Sequence, residues 1–294
     1  MNDTLSYLLD LLDLERIEQD IYRGDSHPSV IPRVFGGQVA AQALVAACRT
    51  VPDDRLPHSL HSYFLRPGDP GAPIVYNVDR IRDGRSFATR RVVAVQHGQP
   101  IFHLSASFQA FEEGLEHQEP MPDAPDPETL PTAAETLPKY ADSFVHPAVA
   151  ELLMEARRAV DLRYVAEPPY ATVGEPREPR SQVWFRTSGP VTGVHDNPVV
   201  HLCLATYVSD MTLLDSVLLA HGRGGWTVGD VVGASLDHAM WFHRPLRADE
   251  WLLYDTESPT SQGGRGLARG RIFTRDGKLA VSVIQEGVVR VPRD

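Results

Sequence analysis

Leu5, Leu8, Leu9, Leu12 and Ile17 recur at a helical period, and this predicts an amphipathic helix over residues 3–23. From Gly36–Gly37 onward the pattern changes. Val39 to Cys48 is apolar or small on nearly every side, as in a helix enclosed all round by protein. Four runs with strand character follow: HSLHSYFLRP, IVYNVDRI, SFATRRVVAVQ and PIFHLSASFQAF. The segments between them, RPGDPGAP, RDGRS and QHGQP, carry the Pro, Gly and Asp of turns. One buried helix followed by consecutive antiparallel strands predicts a sheet wrapped around a helix.

Residues 113–147 break this rhythm. They are rich in Pro, Glu and Asp and read as a connector. A helix is predicted within 147–166 and a strand at REPRSQVWFRT. The remainder replays the first part. A helical run, DMTLLDSVLLAHG, starts at Asp210. The strand-like runs SLDHAMWFHRP, EWLLYDTES, RGLARGRIFT and KLAVSVIQEGVVRV follow. Phe64-Leu65-Arg66-Pro67 corresponds to Phe242-His243-Arg244-Pro245, Arg90 to Arg269 and Gly98 to Gly277. A repeat of this length means two copies of one unit. The predicted division is 1–112, a connector at 113–147, and 148–294, with a pseudo-two-fold interface between the units.

The segments FGGQVAAQALVAA, HSLHSYFLRPGD, DGRSFATRRVVAVQ, LSASFQAFE, LDHAMWFHRP and IQEGVVR resemble, in collinear order, those of the acyl-CoA thioesterase II family. The likeness covers nearly the whole chain and is loosest in the connector and around 168–200. It implies an α+β double hotdog and hydrolysis of fatty acyl-CoA to free fatty acid and CoA. It implies no metal and no cofactor, CoA being part of the substrate. It also implies a catalytic trio of Asp, Thr or Ser, and Gln. The Asp falls on Asp210 in YVSDMTLL and the Gln on Gln285 in SVIQEGVV. Where the family has Thr, this chain has Ser235, in ASLDH. Serine keeps the hydroxyl and loses the methyl that restricts its rotamer.

Thioester hydrolysis needs a positioned water, an acceptor for its proton and donors for the developing oxyanion. Asp210, placed at the start of the second helix, would be held ionised by the helix dipole. Ser235 and Gln285 each offer a donor and an acceptor to fix the water. The expected oxyanion site is the N-terminus of the first buried helix, near Gly37 and Gln38. The glycine pair could equally serve only a turn. Direct attack by Asp210 to give an anhydride stays open at this point.

Charge and composition narrow the field. A net charge of −11 disfavours a nucleic-acid binder. No uninterrupted run of 18 apolar residues suggests a membrane span. The acidic opening MNDTLSYLLDLLDLERIEQD does not resemble a signal peptide. The expectation is a cytoplasmic protein whose partner is acyl-CoA, assembled as a homo-oligomer. Cys48 and Cys203 are expected as reduced buried thiols. No CxxC or HExxH indicates a metal site, and no G-x-S-x-G elbow indicates a serine hydrolase. His58 and His61 are expected to be structural. Asp237 and His238, adjacent on a strand, should face opposite sides. Arg85, Arg90, Arg91, Arg265, Arg269 and Arg271 are expected on solvated strand faces. Two rival functions stand beside the main one. HDNPVVH, with Asp196 and His201, approximates the Asp/His motif of hotdog-type enoyl-CoA hydratases. The other rival is a non-catalytic acyl-CoA-binding hotdog.

Overall fold

The computed structural model describes residues 4–26 and 32–292. Its first half contains α1 (Thr4–Leu12), a hairpin of β1 (Glu15–Glu18) and β2 (Ile21–Gly24), the buried helix α2 (Gly36–Cys48), and β3 (Arg55–Phe64), β4 (Ile74–Asp83), β5 (Phe87–Gln96) and β6 (Gln99–Ala110). Next come α3 (Ala133–Thr136), α4 (Pro147–Ala159), β7 (Val160–Tyr164) and β8 (Arg180–Thr187). The second core helix is α5 (Pro198–Thr212), followed by the short α6 (Asp215–Leu219). The last strands are β9 (Val232–Ser235), β10 (Asp237–Phe242), β11 (Leu252–Gln262), β12 (Arg265–Thr274) and β13 (Leu279–Arg290).

All the strands belong to one antiparallel sheet, in the order β1-β2-β4-β5-β6-β3-β10-β13-β12-β11-β8-β7, with β9 laid beside β13. The halves join where β3 pairs with β10, Leu60 opposite Met240 and His61 opposite Ala239. The sheet curves around α2 and α5, which pack along one another. This is the expected double hotdog. Alternation decides which residues face the helices. On β5 these are Ala88, Arg90, Val92 and Ala94, and on β13 they are Val281, Val283 and Gln285, all buried.

Three predicted elements differ. The N-terminal helix stops at Leu12 rather than running to residue 23. Arg16 to Tyr22 is instead a hairpin, turned at Asp20 with φ 59°, a left-handed conformation that Asp tolerates better than most residues. Ile17, counted into the helical period, is 52% exposed. The predicted helix within 147–166 ends at Ala159, and alternation takes over as β7. The largest change is in the second core helix, which begins at Pro198, not at Asp210. Asn197 caps it, its side chain accepting the Val200 N–H at 3.1 Å, and Pro198 fills the first turn. Asp210 therefore lies in the last turn.

The stretch Pro198–Leu219 is long and apolar enough to cross a bilayer by length and composition, which the interrupted apolar pattern did not signal. Here 72% of its apolar window is buried inside the fold, as a core helix requires. The Pro-rich connector is packed rather than loose. Met121, Ala124 and Leu130 lie on Trp184, Trp251, Leu253 and Phe273 of the outer sheet face. Leu137, Phe144, Val149 and Tyr170 form a separate small core.

Candidate active site

Asp210 is half-buried at the junction of the two halves. Its Oδ1 accepts a 2.6 Å hydrogen bond from Gln285 Nε2 and a 3.2 Å bond from Ser235 Oγ. The carboxylate also accepts the backbone N–H of Gly37, from the first turn of α2. The structure thus brings together Asp210, Ser235, Gln285 and Gly37. They come from α5, β9, β13 and α2.

Local sequence explains the convergence. Gln285 takes the inward position after Val281 and Val283 on β13. Ser235 sits opposite Gly287 across the β9–β13 ladder. That glycine has a packing reason: a Cβ there would lie 2.5 Å from Leu214 Cδ1. Its absence lets the end of α5 settle onto the sheet. On the other side, a Cβ on Gly36 would come within 2.7 Å of Asp210 Oδ2 and 2.9 Å of Phe64. One on Gly37 would lie 2.4 Å from the Tyr207 carbonyl oxygen. Neither glycine has a positive φ, so the pair serves the close approach of α2 to α5 and not a left-handed turn.

Burial raises the Asp210 pKa to about 6, and the bonds from Gln285, Ser235 and Gly37 and the charge of Arg33 oppose that rise. The expected help from a helix N-terminus is absent. Asp210 sits at the negative end of α5, where the dipole disfavours a carboxylate. At pH 7 a group with this pKa is still about nine-tenths ionised. The site therefore presents a carboxylate that is ionised near neutrality yet basic enough to take a proton.

Gly37, expected to offer its N–H to an oxyanion, directs it to Asp210. The Gln38 side chain turns away, donating to the Asp25 carbonyl at 3.2 Å and to Ser26 Oγ at 3.1 Å. Asp196 and His201 do lie together, at 3.4 Å, but in the first turn of α5 and its approach. Nine residues of helix, about 14 Å, separate His201 from Asp210. His201 Nδ1 accepts the Ala248 N–H, and Asp196 also pairs with Arg247, so both tie α5 to a loop. His58 bonds Ser107, and His61 stacks edge-on against Trp241. Asp237 and His238 face opposite sides as expected: Asp237 accepts the Glu286 N–H, and His238 is fully buried on the inner face.

The arginine expectation needs one correction. Arg90 is 0% exposed, not on a solvated face, and its guanidinium bonds Thr50 and Asp83. Arg91, Arg265 and Arg269 pair with Asp79, Glu286 and Glu257 on the surface, while Arg271 pairs with the buried Asp255. Both cysteines are free, and Cys48 is half-buried rather than buried, in reach of Cys203 across the α2–α5 contact. Among the described residues, no group of three His, Cys, Asp or Glu side chains could hold a metal ion.

Sequence reasoning passed over two neighbours of the site, Arg33 and Tyr254, and weighed a third, His238, only as a partner of Asp237. Arg33 places its charge toward Asp210 and donates to the Gly233 carbonyl at 3.0 Å. Tyr254 donates to the Ser209 carbonyl at 3.0 Å. His238 is pushed down to about pKa 4 by burial and lies beside Gln285. Only His238 left a signal: in DHAMWF it shares the inward face with Met240 and Phe242.

Comparison with known proteins finds relatives over nearly the whole chain. The model of the acyl-CoA thioesterase family matches residues 155–288, and that of the acyl-CoA thioesterase N-terminal domain matches 25–109. Mouse acyl-coenzyme A thioesterase 8 is 44% identical over 286 residues, spanning 96% of this chain and 88% of its own. Acyl-CoA thioesterase 2 of Haemophilus influenzae is 41% identical over 294 residues, 99% of both chains. The crystal structure of acyl-CoA thioesterase II TesB2 from Mycobacterium marinum is 43% identical, covers 97% of this chain and 98% of its own, and superposes with a TM-score of 0.78.

Proposed function

Since the chain belongs to the acyl-CoA thioesterase II family and is a hydrolase of acyl-CoA thioesters, we propose that Asp210, Ser235 and Gln285 position and activate the water that cleaves the bond. The observation that carries this reading is the convergence of Ser235 Oγ and Gln285 Nε2 on one oxygen of a half-buried carboxylate. The carboxylate takes a proton as the water oxygen attacks the thioester carbon. The tetrahedral intermediate then expels the CoA thiolate, which recovers that proton, leaving fatty acid and CoA. Ser235 and Gln285 hold the carboxylate and water in register.

The thioester oxygen would gain charge facing the N-terminus of α2. That helix has no side-chain cap at Phe35, and although its Gly37 N–H is taken by Asp210, the positive end of its dipole near Gly37 and Gln38 would favour charge on that oxygen. These steps call on no metal and no cofactor. The enoyl-CoA hydratase and non-catalytic readings are not favoured by the relatives. We also place the enzyme in fatty-acid metabolism, in the cytoplasm, as a homo-oligomer. Light scattering and cell fractionation test the last two. The central test is thiol release from saturated acyl-CoAs by wild type and Asp210→Asn. A folded variant with activity near wild type overturns the assignment.

A further inference from the structure

We propose that His238 is a positioning residue for this chemistry: carrying its proton on Nδ1, it donates to Gln285 Oε1 and so keeps the amide NH2 turned toward Asp210. The proposal rests on the reading of Asp210 as the proton acceptor.

Gln285 is fully buried, and its Nε2 donates to Asp210 Oδ1 at 2.6 Å. Its Oε1 then needs a donor, because a buried polar atom left without a partner is destabilising. Gln285 Oε1 and His238 Nδ1 are two of the buried side-chain atoms with no partner in strict geometry, yet the two side chains lie within hydrogen-bonding reach of each other. The ladder explains why. β10 and β13 pair Ala239 with Ile284, and the next step brings His238 opposite Gln285 on the inner face.

The other ring nitrogen, Nε2, is 2.9 Å from Ser209 Oγ, on the residue before Asp210. Ser209 is held in turn, its Oγ 2.9 Å from the Thr206 carbonyl and its own carbonyl bonded by Tyr254. A chain therefore runs from Ser209 through His238 and Gln285 to Asp210. With the proton on Nδ1, the contacts of His238 with Gln285 and Ser209 each pair a donor with an acceptor once the Ser209 hydroxyl turns from the Thr206 carbonyl to Nε2, at the expense of its bond to that carbonyl. With the proton on Nε2, Nδ1 becomes an acceptor and Gln285 must turn its amide over. Its oxygen would then face Asp210, which suits only a protonated carboxyl. The Nδ1–H form thus selects the ionised carboxylate, the state that can take a proton from water.

The groups facing Asp210 are Arg33 and Gly37 from the α2 side, Ser235 from β9, Gln285 from β13 and Tyr254 from β11. Ser209 and Gln285 face the His238 ring. Tyr254, raised by burial, stays neutral across the range tested. An acid limb of kcat near pH 6 then reports Asp210.

The experiment is the pH profile of kcat, by thiol release from a saturated acyl-CoA, for wild type, His238→Asn, His238→Leu and Asp210→Asn. Asn puts an N–H close to the Nδ1 position, and Leu has no donor. His238→Leu should move the acid limb up by roughly half a unit to one unit and lower kcat at pH 7 by about tenfold, with KM nearly unchanged. His238→Asn should keep the wild-type limb. Wild-type limb and kcat in a folded His238→Leu protein overturn the proposal, as does an equal shift in both variants. The ¹⁵N shifts of the His238 ring in the wild-type protein decide independently of any variant's folding. A proton on Nδ1 supports the proposal; a proton on Nε2, or a charged ring, overturns it. Activity retained in Asp210→Asn would remove the underlying reading, whereas an inactive Asp210→Asn beside an unaffected His238→Leu would remove this proposal alone.

Discussion

Replacing Asp210 by Asn separates two consequences of its position. The first is chemical. Asn cannot accept a proton at neutral pH, and loss of a general base lowers kcat by about 10²- to 10⁴-fold. The second is energetic and has the opposite sign. Burial raises the carboxyl from 3.8 to about 6. Each pKa unit corresponds to about 1.4 kcal/mol, so holding Asp210 ionised in the folded state costs about 3 kcal/mol at pH 7. Between these values the folded state binds more protons than the unfolded one. Stability therefore falls as pH rises through this window, and the full cost persists above it.

Asn at this position removes that cost. It can still accept from Gln285 and Ser235, but its NH2 would meet the Gly37 N–H, returning roughly 1 kcal/mol. The net expectation is a variant more stable than wild type by about 1–3 kcal/mol at pH 7, or roughly 2–5 °C in Tm for a chain of this length. The gain should fade toward pH 4, where the folded carboxyl is neutral and little of the cost remains. Thiol release gives kcat, and urea unfolding at pH 4 and pH 7 gives the stability difference. Unchanged or lower stability at pH 7 would refute the electrostatic argument. Activity within a few-fold of wild type would refute the chemical one.

Ser235→Ala should lower kcat more than it raises KM, because the hydroxyl acts mainly in the transition state, while Ser235→Thr should retain much of the activity. Equal kcat in the Ser and Ala enzymes would exclude the hydroxyl from the mechanism. In wild type, kcat should fall about tenfold per pH unit below the Asp210 pKa of about 6, since only the ionised form takes a proton. A flat profile down to pH 4.5 would contradict that dependence. Prolonged EDTA treatment should leave kcat unchanged, and metal-restored activity after chelation would contradict the proposed steps.

The strands were legible because each announces itself by alternation and is bounded by Pro, Gly or Asp. All four predicted runs in the first half became β3 to β6. The second helix was misplaced because apolar periodicity runs on past Asp210 through Leu213, Leu214 and Leu218, while its true start is the Asn197–Pro198 pair. That pair is a helix-start signal that also looks like part of a hydratase motif. Misplacing the start inverted the electrostatics of Asp210. Arg90 was misread because a charged residue on an alternating strand is ordinarily solvated. Its burial depends on Thr50 and Asp83, distant partners that no local pattern reveals. Alternation put Asp237 and His238 on opposite faces, but the contact of His238 with Gln285 depends on the β10–β13 register, which sequence does not specify.

That register also explains why a duplicated fold carries one such constellation. Ala268 opposite Gln285 in the second half corresponds to Arg90 opposite Ala106 in the first, so the inward Arg90 matches Ala268 and not Arg269, the match expected from the sequence repeat, and His238 corresponds to Leu60. In the first half Arg90 reaches the end of α2 and bonds the Thr50 carbonyl and hydroxyl, placing a cation at a helix C-terminus, where the dipole favours it. In the second half the end of α5 meets the sheet through Asp210 and Gln285, placing an anion where the dipole opposes it. The two ends are structurally equivalent and electrostatically opposite. The first arrangement stabilises the fold. The second is strained by burial and dipole together, and that strain makes Asp210 a better proton acceptor than an exposed aspartate. On the proposed reading of Asp210, stability at one end of the pseudo-dimer and reactivity at the other follow from which residue each strand turns inward.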